Sequence, residues 1–217
     1  MRRSEDPYPS PEVERRLWDS GCLLVAGVDE AGRGCLAGPV VAAVCILPAG
    51  LTELPGVRDS KLLTPGQRRD LYHTIRETAA AIGIGAASRR EIDRCNIRIA
   101  SVLAMQRALE RAGTWDHALC DGPMPPELDP ERHSGIVNGD ARCLSIAAAS
   151  IIAKVTRDAL MARLAVRHPE YGWERNAGYG TSAHLEALRR HGPTPHHRRT
   201  FAPVRAVLSP VSSAENA

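Results

Sequence analysis

Short runs rich in Val, Ile, Leu and Ala recur along the chain and predict β-strands, because these residues favour a pleated, partly buried backbone. Gly, Pro or Asp residues bound most of the runs and mark their ends. The strongest two runs lie near the N-terminus and are separated by a glycine-rich link. The predicted strands are residues 23–30, 40–47, 81–87, 115–120 and 136–137.

Longer stretches, in which apolar residues recur three or four positions apart, predict helices. Two of them begin at a capping box, in which Thr64 is followed by Gln67 and Ser88 by Glu91. A Gly at position 113 and a Gly-Pro pair at 192–193 end two others. The predicted helices are residues 11–20, 64–80, a short turn from 88, 96–111, 145–166 and 181–191.

The order of these elements predicts an α/β fold with a mixed sheet, followed by a mainly helical C-terminal part. We place an N-terminal leader and short helix at 1–20 and the α/β domain at 21–168. The helical part occupies 169–207, and we expect disorder at 1–10 and in the tail at 208–217.

Composition places the chain among soluble globular proteins, since 43% of its 217 residues are hydrophobic and 24% are charged. No apolar run approaches the roughly 20 residues that span a bilayer. The arginines at positions 2 and 3 precede no apolar stretch, so they do not begin a secretory signal. We therefore expect a cytoplasmic protein without membrane association, whose six cysteines are reduced thiols.

Charge is distributed unevenly around a net value of +3. Residues 154–205 contain ten Lys or Arg and four Asp or Glu, which is +6 and leaves −3 on the remainder. A basic C-terminal part beside an acidic half fits a polyanionic substrate whose reaction needs a metal ion. An ordinary solvated basic surface explains the charge equally well.

Four acidic residues stand where strands end or a helix begins. Asp29 and Glu30 end the first strand, Asp121 ends a later strand, and Asp140 precedes the long helix. Ligands of open α/β sheets bind beyond the carboxyl ends of strands, so these acids are placed to converge. Their hard oxygen ligands suit Mg²⁺ or Mn²⁺, and two such ions about 4 Å apart promote phosphodiester hydrolysis.

Adjacent residues of a strand point to opposite faces, which separates Asp29 from Glu30. We expect the backbone to turn at this pair, since Gly32 and Gly34 follow it. A surface charge or a turn former explains each acid taken alone, so spacing does not identify the site.

Taken together, the motifs resemble ribonuclease HII, the type 2 ribonuclease H family. They are spread from residue 26 to residue 204 and comprise GVDEAGRG, GPVVAA, DSKLL, LAMQRAL, DGP, GD, IAAASIIAKVTRD, GYGT and HHRRTFAPV. The resemblance implies an RNase H-like fold, with a mixed five-stranded sheet flanked by helices and a helical C-terminal extension that binds substrate.

The resemblance also implies an activity. A member of this family degrades the RNA of RNA–DNA hybrids and incises 5′ of single ribonucleotides in duplex DNA, by attack of a metal-activated water that leaves 3′-hydroxyl and 5′-phosphate ends. The implied catalytic acids and ligands of one or two Mn²⁺ or Mg²⁺ ions are Asp29, Glu30, Asp121 and Asp140. Asp140 would ligate a second ion or orient the water.

By the same resemblance, the backbone of Gly32, Arg33 and Gly34 approaches the ribose and reads its 2′-hydroxyl. Such a contact distinguishes RNA from DNA, and glycine permits the close approach. Tyr179 matches the tyrosine that packs on the sugar beside the ribonucleotide. Without the motif, a half-buried tyrosine that anchors the C-terminal helix is the ordinary interpretation.

Phosphate contacts are implied for Lys61 and Lys154, which would position the duplex without reading its sequence. Ser150 is a weaker candidate of the same kind. We interpret residues 196–199, with sequence HHRR, as a structural or phosphate-facing corner and not as a metal site. The remaining weak candidates for phosphate contacts are Thr156, Arg157, His184, His196, His197, Arg198 and Arg199.

Two positions depart from the family pattern, since Asn138 and Ala177 stand where many members have lysine. We expect weaker substrate binding or a stronger dependence on salt, but no loss of chemistry. The expected partners are RNA–DNA hybrids and ribonucleotide-containing DNA, and the protein is expected to act as a monomer. A sliding-clamp partner has no support, because the tail lacks an obvious aromatic anchor.

Two other functions stay open on the residues alone. A glycosidase with a pair of carboxylates needs no metal ion, but the basic C-terminal part argues against a neutral sugar substrate. A nucleic-acid-binding module with a degenerate site is the other, and the presence of all four acids argues against it.

Overall fold

A computed structural model describes residues 8–209 and arranges five strands in one mixed sheet. Across the sheet, the order of the strands is β3-β2-β1-β4-β5. The strands in chain order are β1 (Val25–Ala31), β2 (Val40–Ile46), β3 (Ala81–Ala87), β4 (His117–Asp121) and β5 (His133–Ile136). Neighbours among β1, β2 and β3 are antiparallel, whereas β1, β4 and β5 are parallel. The predicted α/β class with a mixed sheet is therefore confirmed.

Eight α-helices accompany the sheet within the described residues. They are α1 (Glu12–Asp19), α2 (Pro65–Thr78), α3 (Arg89–Ala112), α4 (Gly139–Arg142), α5 (Leu144–Arg167), α6 (Trp173–Asn176), α7 (Ser182–His191) and α8 (Ala202–Leu208). Single 3₁₀ turns occur at Ser60–Leu62 and Pro169–Tyr171. No helix of residues 8–209 is long and apolar enough to cross a membrane, and all six cysteines are free thiols.

The two long helices cover opposite faces of the sheet. One core cluster joins α3 to the side chains of Val28, Val40 and Val44, and a second joins α5 to Ala43 and Cys45. Successive residues of β2 therefore serve alternate cores, which explains why the whole strand is buried.

Glycines in the strands let both long helices approach the sheet closely. A Cβ at Gly27 would lie 2.2 Å from the carbonyl carbon of Ser145 in α5. A Cβ at Gly83 or Gly85 would lie 1.9 or 2.1 Å from a carbonyl oxygen of α3. Any larger residue at these positions would push a helix away from the sheet.

The central pair of strands brings two acids to one edge of the sheet. β1 and β4 are parallel, with Val28 opposite Cys120, so that Asp29 and Asp121 follow at the same level. Antiparallel pairing with β2 continues beyond this point, with Glu30 opposite Ala42. The carboxyl ends of β1 and β4 therefore form the floor on which a site can be built.

One predicted boundary is confirmed and another is wrong, each for a local reason. The short turn from Ser88 and the helix at 96–111 are separate helical segments of α3, divided by a kink at Asn96, whose φ is 67°. The Asn96 side chain accepts a bond from the Ile99 amide and so caps the second part of α3. β5 begins at His133 instead of 136, because pairing with β4 overrides its weak strand propensity. The short helices α4, α6 and α8 had no periodic signal.

The predicted disordered leader and tail lie mostly outside the described residues. Within the described residues, the backbone of Ser10 forms hydrogen bonds with the backbone of Arg142 and of Leu144. The disordered leader therefore ends before Ser10. The buried Glu14 of α1 then accepts bonds from the Ser145 amide at 2.8 Å and hydroxyl at 2.7 Å. Helix α1 thus caps the N-terminus of α5.

A buried histidine pair joins the helices of the C-terminal part. His184 Nδ1 donates to the carbonyl oxygen of Tyr179 at 2.8 Å, which leaves Nε2 to accept from the Trp173 indole at 3.1 Å. His197 Nδ1 accepts from the Thr194 amide at 3.0 Å, and its Nε2 faces that of His184 at 3.1 Å. Since His184 Nε2 is an acceptor, His197 Nε2 must be the donor, and both rings are neutral.

Protonation of this pair would break the network. Burial, together with the neighbouring histidines, lowers the pKa of His197 to about 3, and burial lowers the pKa of His184. The unfolded chain, with an ordinary histidine pKa of 6.5, binds these protons first as the pH falls. The stability that His197 contributes is therefore complete above pH 6.5 and is lost as the pH falls towards 3.

Replacing His197 should reduce this loss of stability in acid. Between pH 7.5 and pH 5, we expect the free energy of unfolding to fall by about 2 kcal/mol more in the native protein than in His197→Asn. Urea unfolding followed by tryptophan fluorescence at both pH values measures the difference. His73→Asn, at an exposed position on α2, is the matched control and should behave as the native protein. Equal pH dependence in native protein and His197→Asn would contradict the prediction.

Candidate active site

Three carboxylates meet at the carboxyl ends of the central strands. One oxygen from each of Asp29, Asp121 and Asp140 lies within 4.8 Å of the others. The Gly139 amide donates to Asp121 Oδ1 at 2.7 Å and so ties the start of α4 to the end of β4. A Cβ at Gly139 would lie 2.6 Å from the end of the Ile146 side chain, so a larger residue there would force that side chain to shift. The structure thus brings together three of the four predicted acids.

Glu30, the fourth predicted acid, lines the cavity that opens over this cluster, but its carboxylate is bonded to a different group. Its Oε1 accepts a bond from Arg33 Nη1 at 3.1 Å, and its side chain is only 8% exposed. The expected turn between Asp29 and Glu30 is wrong, because pairing with β2 carries β1 through Ala31. The chain turns only at Gly32, whose φ is 94°. Ligation of a metal ion by Glu30 stays a prediction.

The acids repel one another in a poorly solvated place. Burial and the charges of Glu30 and Asp121 raise the pKa of Asp29 well above its usual value, although a bond from the Ser150 hydroxyl lowers it in part. Burial raises the pKa of Glu30 against the effect of Arg33, and burial with the charge of Asp140 raises that of Asp121. A divalent cation with oxygen ligands fits this excess of negative charge.

Lys61 provides the positive charge closest to Asp140. Its Nζ lies 3.1 Å from Asp140 Oδ2, and its side chain is 76% exposed. Burial alone would lower the pKa of Lys61, but the bond to Asp140 and the charges of Asp59 and Asp29 outweigh it and raise that pKa. Two hydrogen bonds hold the 3₁₀ turn that carries Lys61. The Asp59 side chain accepts from the Lys61 amide at 2.8 Å, and Arg68 donates to the carbonyl oxygen of Ser60 at 2.7 Å.

A cavity of about 230 Å³ opens over the carboxylates. Its walls include Asp29, Glu30 and Asp121. The main predicted substrate-binding residues also line it, namely Gly32, Arg33, Gly34, Lys61, Ser150, Lys154 and Tyr179. The sequence motifs therefore converge on one place, although their contacts with a substrate stay predictions.

The turn at residues 32–34 presents free donors to this cavity. Arg33 and Gly34 are exposed, and within residues 8–209 neither amide has a hydrogen-bond acceptor. Their neighbour Gly32 is buried, with the Nε atom of Arg157 only 1.9 Å from where a Cβ would stand. The turn can therefore donate to an oxygen atom of a bound molecule.

Tyr179 and Lys154 contribute to another part of the cavity lining. The side chain of Tyr179 is 42% exposed, so that its ring is not a core anchor. The Lys154 ammonium lies 5.5 Å from the centre of this ring and donates to Asp158 at 2.9 Å. Ser150 is almost buried and shares a bond of 3.0 Å with Ser60, which limits how far it can reach a substrate.

Several of the weaker predictions of phosphate contacts were wrong. Arg157, His184, His197 and Arg198 are at most 1% exposed and bond to groups inside the protein. The Thr156 hydroxyl is buried as well, whereas His196 is half-buried and Arg199 is exposed. The only sequence signal for these phosphate contacts was a basic motif close to the site. Such a motif does not show whether a side chain faces the solvent or the protein interior.

Comparison with known proteins agrees with this arrangement. The family model described as ribonuclease HII matches residues 26–204. The ribonuclease HII of Thermosynechococcus vestitus is 57% identical over 188 residues, which are 87% of this chain and 88% of that protein.

Two solved structures share the fold. The ribonuclease H2 of Pyrococcus horikoshii is 29% identical with a TM-score of 0.68, over 84% of this chain and 96% of that one. The ribonuclease HII of Archaeoglobus fulgidus, solved in complex with PCNA, is 26% identical with a TM-score of 0.67, over 82% of this chain and 95% of that one. This chain therefore belongs to the ribonuclease HII family of metal-dependent nucleases with an RNase H-like fold.

Proposed function

We propose that this protein incises DNA duplexes 5′ of single ribonucleotides and degrades the RNA of RNA–DNA hybrids, leaving 3′-hydroxyl and 5′-phosphate ends. One observation supports this proposal above the others. The carboxylate cluster of Asp29, Asp121 and Asp140 lies beside the free amides of Arg33 and Gly34. A reactive phosphate and the 2′-hydroxyl of a ribose next to it can therefore be bound together.

Asp29, Asp121 and Asp140 are the residues proposed to hold one or two Mn²⁺ or Mg²⁺ ions. Glu30 is proposed to join them when its carboxylate leaves Arg33. A divalent ion supplies positive charge for the transition state and makes an attacking water easier to deprotonate. Burial of the acids matters here, since a low local dielectric strengthens their attraction for a cation.

Recognition is proposed to rest on sugar and backbone instead of bases. The amides of Arg33 and Gly34 would donate to the 2′-oxygen, which a deoxyribose lacks. The exposed ring of Tyr179 would pack on the neighbouring sugar, while Lys61 and Lys154 would contact phosphates. All of these residues come from a single chain, so a monomer suffices.

Removing one acid of the cluster should abolish incision. With a labelled duplex that contains one ribonucleotide and with Mn²⁺ or Mg²⁺, we expect a single cut on the 5′ side of that nucleotide. Asp29→Asn should reduce the rate at least about 100-fold, because a neutral amide binds a cation poorly. Mapping the labelled products on a sequencing gel gives both results.

Asp70→Asn, on the exposed face of α2, is the matched control and should cut at the native rate. An undiminished rate for Asp29→Asn, or a cut that does not depend on metal, would refute the proposed mechanism.

Metal binding should stabilise the native protein and not the variant Asp121→Asn. At 100 times its dissociation constant, a bound ion adds about 2.7 kcal/mol, or roughly 5–10 °C in the melting temperature of a domain of this size. Without metal, Asp121→Asn should melt above the native protein, because burial and repulsion raise the pKa of Asp121. Scanning calorimetry with Mn²⁺ and with EDTA tests both points. An equal response of the two proteins to Mn²⁺ would contradict the assigned ligands.

Lysine at position 138 should increase the dependence of binding on salt, because each added phosphate contact releases a further counterion. This reverses the stronger salt dependence that we expected for the native Asn138 and leaves weaker binding as the expected effect of the missing lysine. Asn138 is exposed and left-handed, with φ at 54°, two residues before Asp140. The left-handed backbone conformation at this position is less favourable for lysine than for asparagine. Asn138→Gln has a similar backbone cost without the added charge, so it is the proper comparison. We expect the slope of log K against log salt to be steeper by about 0.9 in Asn138→Lys. Equal slopes, measured by fluorescence anisotropy with EDTA, would show that position 138 meets no phosphate.

A further inference from the structure

A buried guanidinium lies directly behind the turn at residues 32–34. Arg198 Nη2 donates to the carbonyl oxygen of Gly32 at 2.6 Å, and Nη1 donates to that of Arg33 at 2.7 Å. Its Nε donates to the carbonyl oxygen of Gly38 at 3.1 Å. Each nitrogen of the guanidinium therefore bonds to the backbone of one loop.

A second buried guanidinium holds the other end of this loop. Arg157 donates to the carbonyl oxygens of Pro39 at 3.0 Å and Ala37 at 3.1 Å. It also donates to Ala177 at 2.8 Å, two residues before Tyr179. One side chain thus connects the loop with the segment that carries the ring.

Neither arginine is neutralised by an acid. Within residues 8–209, no carboxylate lies within 4 Å of the guanidinium of Arg157 or Arg198. Burial of an unpaired charge is costly, and here only charge-assisted bonds to carbonyl groups offset that cost. Burial lowers the pKa of Arg198 to about 10, so that it is still cationic at neutral pH. Such an arrangement needs a reason beyond packing.

The geometry of the peptide bond supplies the reason. In a planar trans peptide, the N–H points away from the C=O of the preceding residue. When Arg198 draws the carbonyl oxygens of Gly32 and Arg33 inwards, the amides of Arg33 and Gly34 must face the other way. Those are the two amides without an acceptor that border the cavity.

We infer that Arg198 and Arg157 are positioning residues for ribose selectivity, and this inference rests on the proposed function. Arg198 sets the direction of the two free amides, and Arg157 sets their distance from Tyr179. A hydrogen bond of 2.8 Å between the Leu36 amide and the Gly178 carbonyl reinforces the same connection. Neither arginine touches the substrate, so both act through the backbone that does.

The test compares two duplexes that differ in one 2′-hydroxyl. The dissociation constants of an all-DNA duplex and of the same duplex with one ribonucleotide are measured with EDTA, and their ratio is the ribose preference. We expect the ribose preference of Arg198→Met to be about tenfold lower than that of the native protein, as the loss of one or two hydrogen bonds predicts. Its affinity for the all-DNA duplex should change less than about twofold, because phosphate contacts are retained.

Two further measurements separate this role from a general structural one. Arg198→Met should keep the rise in melting temperature with Mn²⁺, since the carboxylates stand on β1, β4 and α4. Millimolar guanidinium should restore part of the ribose preference by occupying the vacated space. Arg205→Met, at an exposed position of α8, is the matched control and should keep the native preference.

Each outcome decides the inference. A folded Arg198→Met with the native preference, or with equal losses on both duplexes, overturns it. If Arg198→Met does not fold, Arg198→Lys takes its place, since lysine keeps the charge but cannot bond to three carbonyls in one plane; an unchanged preference there overturns the inference as well. If the native protein itself shows no ribose preference and no incision, the proposed function has failed instead.

Discussion

The parallel pairing of β1 with β4 is the constraint on which the site depends. Because parallel strands end at the same edge of a sheet, this pairing brings Asp29 level with Asp121. The other parts of the cavity attach to these two ends. The turn at Gly32 continues β1, and the amide of Gly139 ties Asp140 to the end of β4. A shift of register by one residue would separate the carboxylates and dissolve the cluster.

Buried charges of both signs surround the cavity without neutralising one another. The acids are crowded so that burial and repulsion raise their pKa values, and this makes the metal-free protein less stable at neutral pH. The arginines behind the turn bond to carbonyl groups instead of acids. The buried arginines therefore do not compete with a metal ion for the carboxylates, although the exposed Arg33 and Lys61 bond to Glu30 and Asp140. The backbone amides of the turn keep their donors for a substrate. These buried charges make the protein less stable than apolar residues at the same positions would. In return, the groups of the site are already in position before a substrate binds.

The sequence allowed much of the fold to be predicted, and the misses have physical causes. Strands 40–47 and 81–87 and the long helix at 145–166 were predicted within one or two residues, because their apolar patterns are strong. The short helices α4, α6 and α8 are too short for a periodic signal, and tertiary contacts form them. Arg157, His184 and Arg198 were only weak candidates for phosphate contacts, and a basic motif does not show that these side chains are buried. The alternative interpretation of residues 196–199 as a structural corner fits the buried Arg198.

The sequence alone determined the order of strands and helices, the placement of the acids near strand ends, and the family. Those properties depend on local periodicity and on motifs, which are written along the chain. Only the tertiary structure decided that Glu30 pairs with Arg33, that β1 runs straight past Asp29, and that Arg198 faces inwards. Each of these depends on which distant groups surround a side chain, because hydrogen bonding and burial are set by neighbours in space and not in sequence.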